Sequence, residues 1–332
     1  MTNIKQVARE AGVSTATVSR VLNGSGYASR EAREKVLQAI ERLNYRPNAI
    51  ARSLKQDKTY TIGILVPDIS NPYFMRMSKG IEDVVRGEGY HLIFASTDED
   101  PDKEAHLLEL FSEQRVDVIV LAASSSTDAL LTELAGSGIH VILADRRLPG
   151  IGRKLDTFLE DNAAASRQLT ERLIHDGHKR IAVIHGGYRI STSAERLEGY
   201  RAAMEDYGLS VDERYLFDGR FAEEGGKQAV LKWLGMSPKP TAILALNNAM
   251  AFGALLQLTE SGVNIPDEMA VASFGELEAA KLLRGSRLWH VRQKPYQMGE
   301  EIGKRILAVQ KDAGLLSMQT EKMFKPEIAR YD

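Results

Sequence analysis

The stretch IKQVAREAGVSTATVSRVLN, residues 4–23, carries two helical patterns separated by a tight turn. Ile4, Val7 and Ala8 sit at helical spacing, and Gly12 ends the run at a position that suits positive φ. Ser14 is a good N-cap for a second helix that turns Val18, Val21 and Leu22 inward and Thr15, Ala16, Thr17 and Arg20 outward. That layout lets the start of the second helix face a DNA major groove. A third helix is expected after Ser29, with Glu31 in its first turn and Val36, Leu37, Ile40 and Leu43 on one face. Beyond it, Pro47 restricts Arg46 to extended geometry. Asn48 can cap a short segment over 49–55, followed by a polar linker over 56–58.

The charge is distributed to match. The whole chain of 332 residues has a formal charge of −2, yet residues 1–58 hold 11 Lys+Arg against 5 Asp+Glu, and the remainder holds 32 against 40. A basic head on an acidic body points to nucleic acid or an anionic surface. With no cysteine there is no disulfide framework, thiol nucleophile or thiolate metal site. The opening residues, interrupted by Lys5, Arg9 and Glu10, do not read as a signal peptide. No run of about 18 apolar residues occurs, so no spanning helix is expected and a cytoplasmic location is the expectation.

From Thr61 onward short apolar runs, at 62–66, 92–95, 116–121, 141–144, 181–184, 242–246 and 270–274, alternate with helical stretches at 74–86, 103–113, 163–175, 194–207, 223–233 and 250–261. Buried strands alternating with helices argue for parallel α/β sheets. Two doubly wound lobes are expected, with a cleft at the carboxyl ends of their strands, and an eight-unit barrel is the structural alternative. No Walker loop, dinucleotide fingerprint or nucleophile elbow occurs. His175 and His178 flank what reads as a helix end, and His140, His185 and His290 sit at strand edges without a carboxylate pattern. Enzyme activity, a cofactor and a metal site are not expected.

Together with NYRPNAIARSLK (44–55), TIGILVPDISNPYF (61–74), HKRIAVIHG (178–186), ERLEGY (195–200) and PTAILALNNAMAFGAL (240–255), the opening stretch resembles the LacI/GalR family of transcription regulators along essentially the whole chain. The resemblance implies an all-α helix-turn-helix domain over 1–47, a hinge helix and linker over 48–60, and a two-lobed α/β core with parallel sheets, like that of periplasmic binding proteins, over 61–332. In that division the N-lobe takes 61–158 and 292–320, and the C-lobe takes 159–291 and 321–332, with three crossings between them. It implies a homodimer on double-stranded operator DNA, repressing a carbohydrate-utilisation operon under control of a small effector in the cleft. No leucine heptad extension follows Phe324, so a tetramer built on one is not expected.

By the same resemblance Thr15, Ala16 and Arg20 occupy the base-reading positions. Ser14, Thr17, Ser19, Asn23 and Lys55 join the DNA-contacting set, and Leu54 is the wedge that enters the minor groove. A hinge helix of about two turns is too short to be stable alone and is expected to fold on DNA. The implied cleft positions are Asn71, Tyr73, Phe74, Asp145, Arg189, Thr192, Arg196, Phe221, Asn247, Asn248, Gly275 and Gln293. Arg196 is the leading one, a guanidinium fork for hydroxyls or an anion. Tyr73 and Phe74 read either as aromatic platforms or as the first apolar turn of a helix. Asn248 and Gly275 stand where many sugar-binding members carry carboxylates, which points to a phosphorylated sugar or sugar acid rather than a neutral sugar unless Glu276 substitutes. Two other readings share the core: a transport-type sugar-binding protein, which would lack residues 1–58, and a regulator whose drifted site answers to a protein co-regulator.

Overall fold

The computed structural model describes residues 3–23, 26–45, 58–124, 128–282, 285 and 287–331. The chain divides into two compact units, Met1–Thr59 and Tyr60–Asp332. The hinge segment expected over 48–55, with Leu54 and Lys55, lies outside the described residues.

In the first unit, α1 (Ile4–Ala11), α2 (Thr15–Asn23) and α3 (Arg30–Arg42) enclose a small core. Asn3 and Gln6 form a reciprocal capping box at the start of α1. Gly12 ends α1 with φ 66°, the left-handed cap that needs no Cβ. Ser29 caps α3 by accepting from the Ala32 N–H. Val7, Val18 and Val36 are fully buried, with Ala11, Ala39 and Tyr45 around them. Leu37, expected on the inner face, is instead 54% exposed. The inward stripe runs through Val36 and Ala39, with Ile40 and Leu43 half-buried, so Leu37 is turned about 100° away from it.

The second unit runs β1 (Thr61–Val66), α4 (Pro72–Val85), β2 (His91–Ser96), α5 (Pro101–Glu113), β3 (Val118–Leu121), α6 (Asp128–Gly136), β4 (His140–Ala144) and β5 (Asp156–Glu160). It continues through α7 (Asn162–His175), β6 (Ile181–His185), α8 (Ser191–Asp206), β7 (Leu216–Asp218), α9 (Glu223–Leu234), β8 (Ala242–Ala245), α10 (Asn248–Glu260) and β9 (Ala270–Ser273). The last elements are β10 (Trp289–Arg292), α11 (Pro295–Lys311), β11 (Glu321–Phe324) and β12 (Glu327–Arg330).

Two six-stranded sheets result, in the orders β11-β5-β4-β3-β1-β2 and β12-β10-β9-β8-β6-β7. Every pairing is parallel except β10 with β12. The chain crosses between the lobes three times, after β5, after β10 and after β11. The last crossing falls later than the expected boundary at 320/321. Glu321–Phe324 pairs with Thr157–Glu160 in the N-lobe sheet, and the C-lobe regains the chain only at Glu327. β5 likewise keeps residues 159–160 in the N-lobe.

Both lobes hold their helices unusually close by means of glycine. Where α4 and α11 pack together, a methyl group on Gly80 would overlap the Tyr296 carbonyl, and one on Gly299 the Met77 carbonyl. In the C-lobe, Gly226 and Gly253 do the same between α9 and α10. Backbone-to-backbone packing of this kind leaves no room for overpacking, which costs about 1–3 kcal/mol where it is forced. Gly299→Ala is therefore expected to lose about 1–3 kcal/mol of stability, read as a lowered denaturation midpoint, whereas an exposed control such as Gly87→Ala, with open space around its Cβ, should change it little.

Candidate nucleic-acid interface and interlobe cleft

In the first unit Ser14, Thr15, Ala16 and Arg20 are exposed, forming the open face at the start of α2. Ser14 accepts from the Thr17 N–H at 3.2 Å and shares a 3.0 Å hydrogen bond with the Thr17 hydroxyl. Thr17 and Ser19 are half-buried rather than outward, so Thr17 serves the cap as well as the surface. The side chain of Asn23 is outside what is described. Arg20 runs past Gly26, whose missing Cβ would stand 3.5 Å from the Arg20 Cδ.

In the second unit the carboxyl ends of both sheets face one cavity of about 250 Å³. Asp68 follows β1, Glu99 follows β2, Asp145 follows β4, Phe221 follows β7, Asn247 follows β8 and Gln293 follows β10, and all of them line it. Tyr73 and Phe74 lie in the first turn of α4, edge to face at 5.2 Å, and are both core residues and cavity walls. The two readings of that aromatic pair are thus compatible.

Arg196 is buried in the cavity wall. Its Nε donates to Asn162 Oδ1 and its Nη1 to the Leu246 carbonyl, each at 2.8 Å, and its guanidinium lies 3.7 Å from the centre of the Phe274 ring. Burial pulls its pKa down while Asp145, Glu160 and Tyr73 push it up. Asp145 is also buried, and loss of water raises its pKa against the opposing pull of Arg196 and Arg146. Burial, Asp145 and Glu160 hold the Tyr73 phenol well above its ordinary value, so it stays a donor. Asp145 and Phe221 have φ of 67° and 57°, left-handed backbone that side chains other than glycine adopt at a cost of order 1–3 kcal/mol, and such residues cluster at ligand sites.

The cavity also gathers residues that the sequence reading left out. Arg146 forks onto Glu99, lies 5.5 Å from the centre of the Phe221 ring and donates to the Ala123 carbonyl at 3.0 Å. Asp98, Arg220 and Phe274 complete the wall. Glu99 sits in the run Asp98–Asp102, which reads as a solvated acidic loop, and only the fold returns it to Arg146. Behind the wall Glu160 accepts from Gln293 Nε2 and the Lys294 N–H, joining two crossings, and burial raises its pKa to about 7. Of the expected cleft residues, Arg189 and Gly275 do not line the cavity, and Arg189 is exposed in the turn before α8. Gly275 lies at the cavity's edge, against Gln293 and Asn248. Glu276 faces Arg76 at 3.7 Å and Arg292 at 3.8 Å and does not substitute for an acid in this cavity.

Both units match one family of known proteins. Residues 3–48 match the bacterial regulatory proteins of the lacI family, and residues 59–320 match the periplasmic binding proteins and sugar binding domain of that family. The chain belongs to the LacI family. Catabolite control protein A of Priestia megaterium is 35% identical over 302 residues, covering 89% of this chain and 89% of that protein. The HTH-type transcriptional regulator GalS of Salmonella typhimurium is 32% identical over 330 residues, covering 99% of this chain and 96% of its own. The structure of the transcriptional regulator CelR in complex with cellobiose superposes with a TM-score of 0.72 at 28% identity, covering 100% of this chain and 99% of that one.

This LacI-family protein is thus a DNA-binding transcriptional regulator with a two-lobed α/β core, and relatives of its kind are not enzymes. His175 bonds the Tyr207 hydroxyl and His178 the Thr241 hydroxyl, so the two histidines do not face one another. Among the described residues no cluster of three or more metal-ligating side chains occurs, and no helix is long and apolar enough to cross a membrane.

Two outcomes follow from these geometries. Arg20→Ala should lose about 1–3 kcal/mol on a specific site, the worth of a bidentate base contact, and much less on random DNA; equal losses on both would reduce Arg20 to a phosphate contact. Glu160 is favoured in its neutral form in the fold, so its contribution to stability is full below pH 4.5 and is lost as pH rises through about 7. Denaturation midpoints of the wild type should therefore fall relative to Glu160→Gln across that window, and parallel profiles would show that Glu160 titrates normally.

Proposed function

We propose that this regulator is an operator-binding repressor, active as a homodimer, whose DNA affinity is set by a small sugar closed between the two lobes. The observation that carries the reading is that two buried charged residues, Arg196 and Asp145, both line a cavity walled by Tyr73, Phe74, Phe221 and Phe274. Planar apolar faces with a few fixed donors and acceptors suit a ring that is apolar on its faces and hydroxylated at its edges. The structure of a similar regulator in complex with cellobiose supports the same class.

The cavity wall favours a neutral sugar over an anion. Asn248 and Gly275 supply no carboxylate, but Asp68, Asp98, Glu99 and Asp145 do, against Arg146, Arg196 and Arg220. Arg146 is already committed to Glu99, and Arg196 stands beside Asp145 and Glu160. A phosphate entering here would meet at least as much negative as positive charge, which removes the basis for expecting a phosphosugar or sugar acid. The edge strand β2 supports a homodimer, since it presents Ile93 and Phe94 to solvent at 43% and 42% exposure. The basic helix-turn-helix unit argues against a transport-type binding protein.

In this mechanism the sugar prefers one arrangement of the lobes and the operator prefers one arrangement too. Each ligand then shifts the affinity of the other by the same factor. The test begins with an operator selected from random DNA. The log–log salt dependence should be steep, as for several phosphate contacts, and a neutral sugar should raise the melting temperature of wild type but not of Arg196→Lys. A slope near zero contradicts DNA binding by the basic head. Stabilisation by sugar phosphates alone contradicts the neutral-sugar reading.

A further inference from the structure

Another cavity, of about 300 Å³, shares no residue with the effector cavity among the described residues, yet the two alternate along the chain. Arg146, Thr192 and Arg196 line the effector cavity, while their neighbours Arg147, Ser191 and Glu195 line the other. The loop after β4 and the first turns of α8 are therefore a partition with a charged side chain on each face. Arg147 spans the lobes on the outer face. Within the N-lobe its Nη1 donates to Glu321 Oε1 on β11 at 3.1 Å. Toward the C-lobe its Nε stands 3.4 Å from Glu195 Oε1, and its backbone N–H donates to Ser191 Oγ at 2.9 Å.

Glu195 uses its two oxygens in different directions. Oε1 faces Arg147, and Oε2 accepts from Asn162 Nδ2 at 2.8 Å. An amide that donates through Nδ2 on one side offers its oxygen on the other, and Asn162 Oδ1 accepts from Arg196 Nε at 2.8 Å. A turned-over Asn162 amide would set N–H against N–H at Arg196. Asn162 is 2% exposed and Arg196 5%, so a bond lost there leaves a buried donor unpaired, the costly case. Burial pushes the Glu195 carboxyl upward, and Asn162, Arg147 and Arg196 pull it back down. Arg147 thus helps to keep Glu195 ionised, the form in which both oxygens only accept. With Nη1 bonded to the Leu246 carbonyl as well, two of the three guanidinium nitrogens of Arg196 are fixed from behind.

We propose that Arg147 is a positioning residue for Arg196: acting through Glu195 and Asn162, it fixes the guanidinium that meets the effector while lying outside the effector cavity itself. This rests on the reading of Arg196 as a group that grips the effector. The relay starts in the N-lobe at Arg147 and ends in the C-lobe at Arg196, so it is complete only when the lobes stand as they do here. The orientation of one buried arginine then registers the arrangement of the lobes before any ligand arrives.

The test begins with the ligand-free full chain. In a proton–nitrogen correlation spectrum the Arg196 Nε–H is identified by its loss in Arg196→Lys, and its exchange with solvent is measured. Arg147→Ala, at a side chain 39% exposed, should speed that exchange ten-fold or more, and Arg147→Lys, which keeps the cation, should recover most of the change. Arg172→Ala, which removes a guanidinium stacked on Trp289 elsewhere in the C-lobe, should leave it within two-fold. Glu195→Ala gives a second reading if Arg147→Ala disturbs the fold. The double variant should exchange no faster than Glu195→Ala alone, because both act along one path. Unchanged exchange in Arg147→Ala, or additive effects in the double variant, overturns the proposal. Glucose, galactose, ribose and cellobiose are then titrated calorimetrically into the same proteins. A sugar that binds wild type should bind Arg147→Ala at least five-fold more weakly, with Arg147→Lys between the two, and equal affinities overturn the proposal. If none of the four binds while the exchange pattern holds, the sugar reading fails and the positioning of Arg196 by Arg147 stands.

Discussion

The structure of the core depends on one constraint: the chain passes between its two sheets three times, at one edge. Because β5, β10 and β11 each deliver the chain to the other lobe, the carboxyl ends of both sheets must face a common gap. Loops after parallel strands are where α/β folds place ligands, and here two sets of such loops are pointed at each other. Glu160 ties the first crossing to the second through Gln293 and the Lys294 N–H, while Lys294 reaches Glu327 at the third with a 2.6 Å ion pair. The crossings therefore behave as a single joint.

Within that frame, the cleft residues divide by lobe. The N-lobe brings Asp145, Glu99 and Arg146, and the C-lobe brings Arg196, Phe221 and Phe274. Complementary groups meet only when the lobes meet, as in the cation–π contact of Arg146 on Phe221. A ligand gripped by both halves gains most of its contacts in one arrangement, which is the differential affinity that a population shift requires.

Much of this was legible in the sequence, for reasons that are local. Six of the seven apolar runs became strands buried on both faces, which need continuous hydrophobicity, as in 62–66 and 242–246, whereas 92–95 became the edge strand β2 with Ile93 and Phe94 exposed. β5, β7, β10, β11 and β12 escaped notice because they are short or carry charge, as in Glu321–Phe324 and Glu327–Arg330, and are specified by neighbours that the chain meets only after folding. The cleft residues Asn71, Asp145, Arg196 and Asn247 were found through family motifs rather than spacing. Arg146 and Glu99 were not, since a pair 47 residues apart leaves no periodic signal. Arg189 is the opposite case: a charge near a helix start that the turn leaves exposed, away from the cavity wall.

The glycine-lined helix crossings bear on how a message leaves the cleft. With α4 seated backbone-to-backbone on α11, and α9 on α10, each lobe has little internal slack in which to dissipate the work of binding. Under the proposed allosteric reading, strain imposed at the cavity would fall on the joint at 160, 293 and 325 rather than inside either lobe. In this sense the glycines are stiffening parts, leaving the joint between the lobes as the place where the core can adjust.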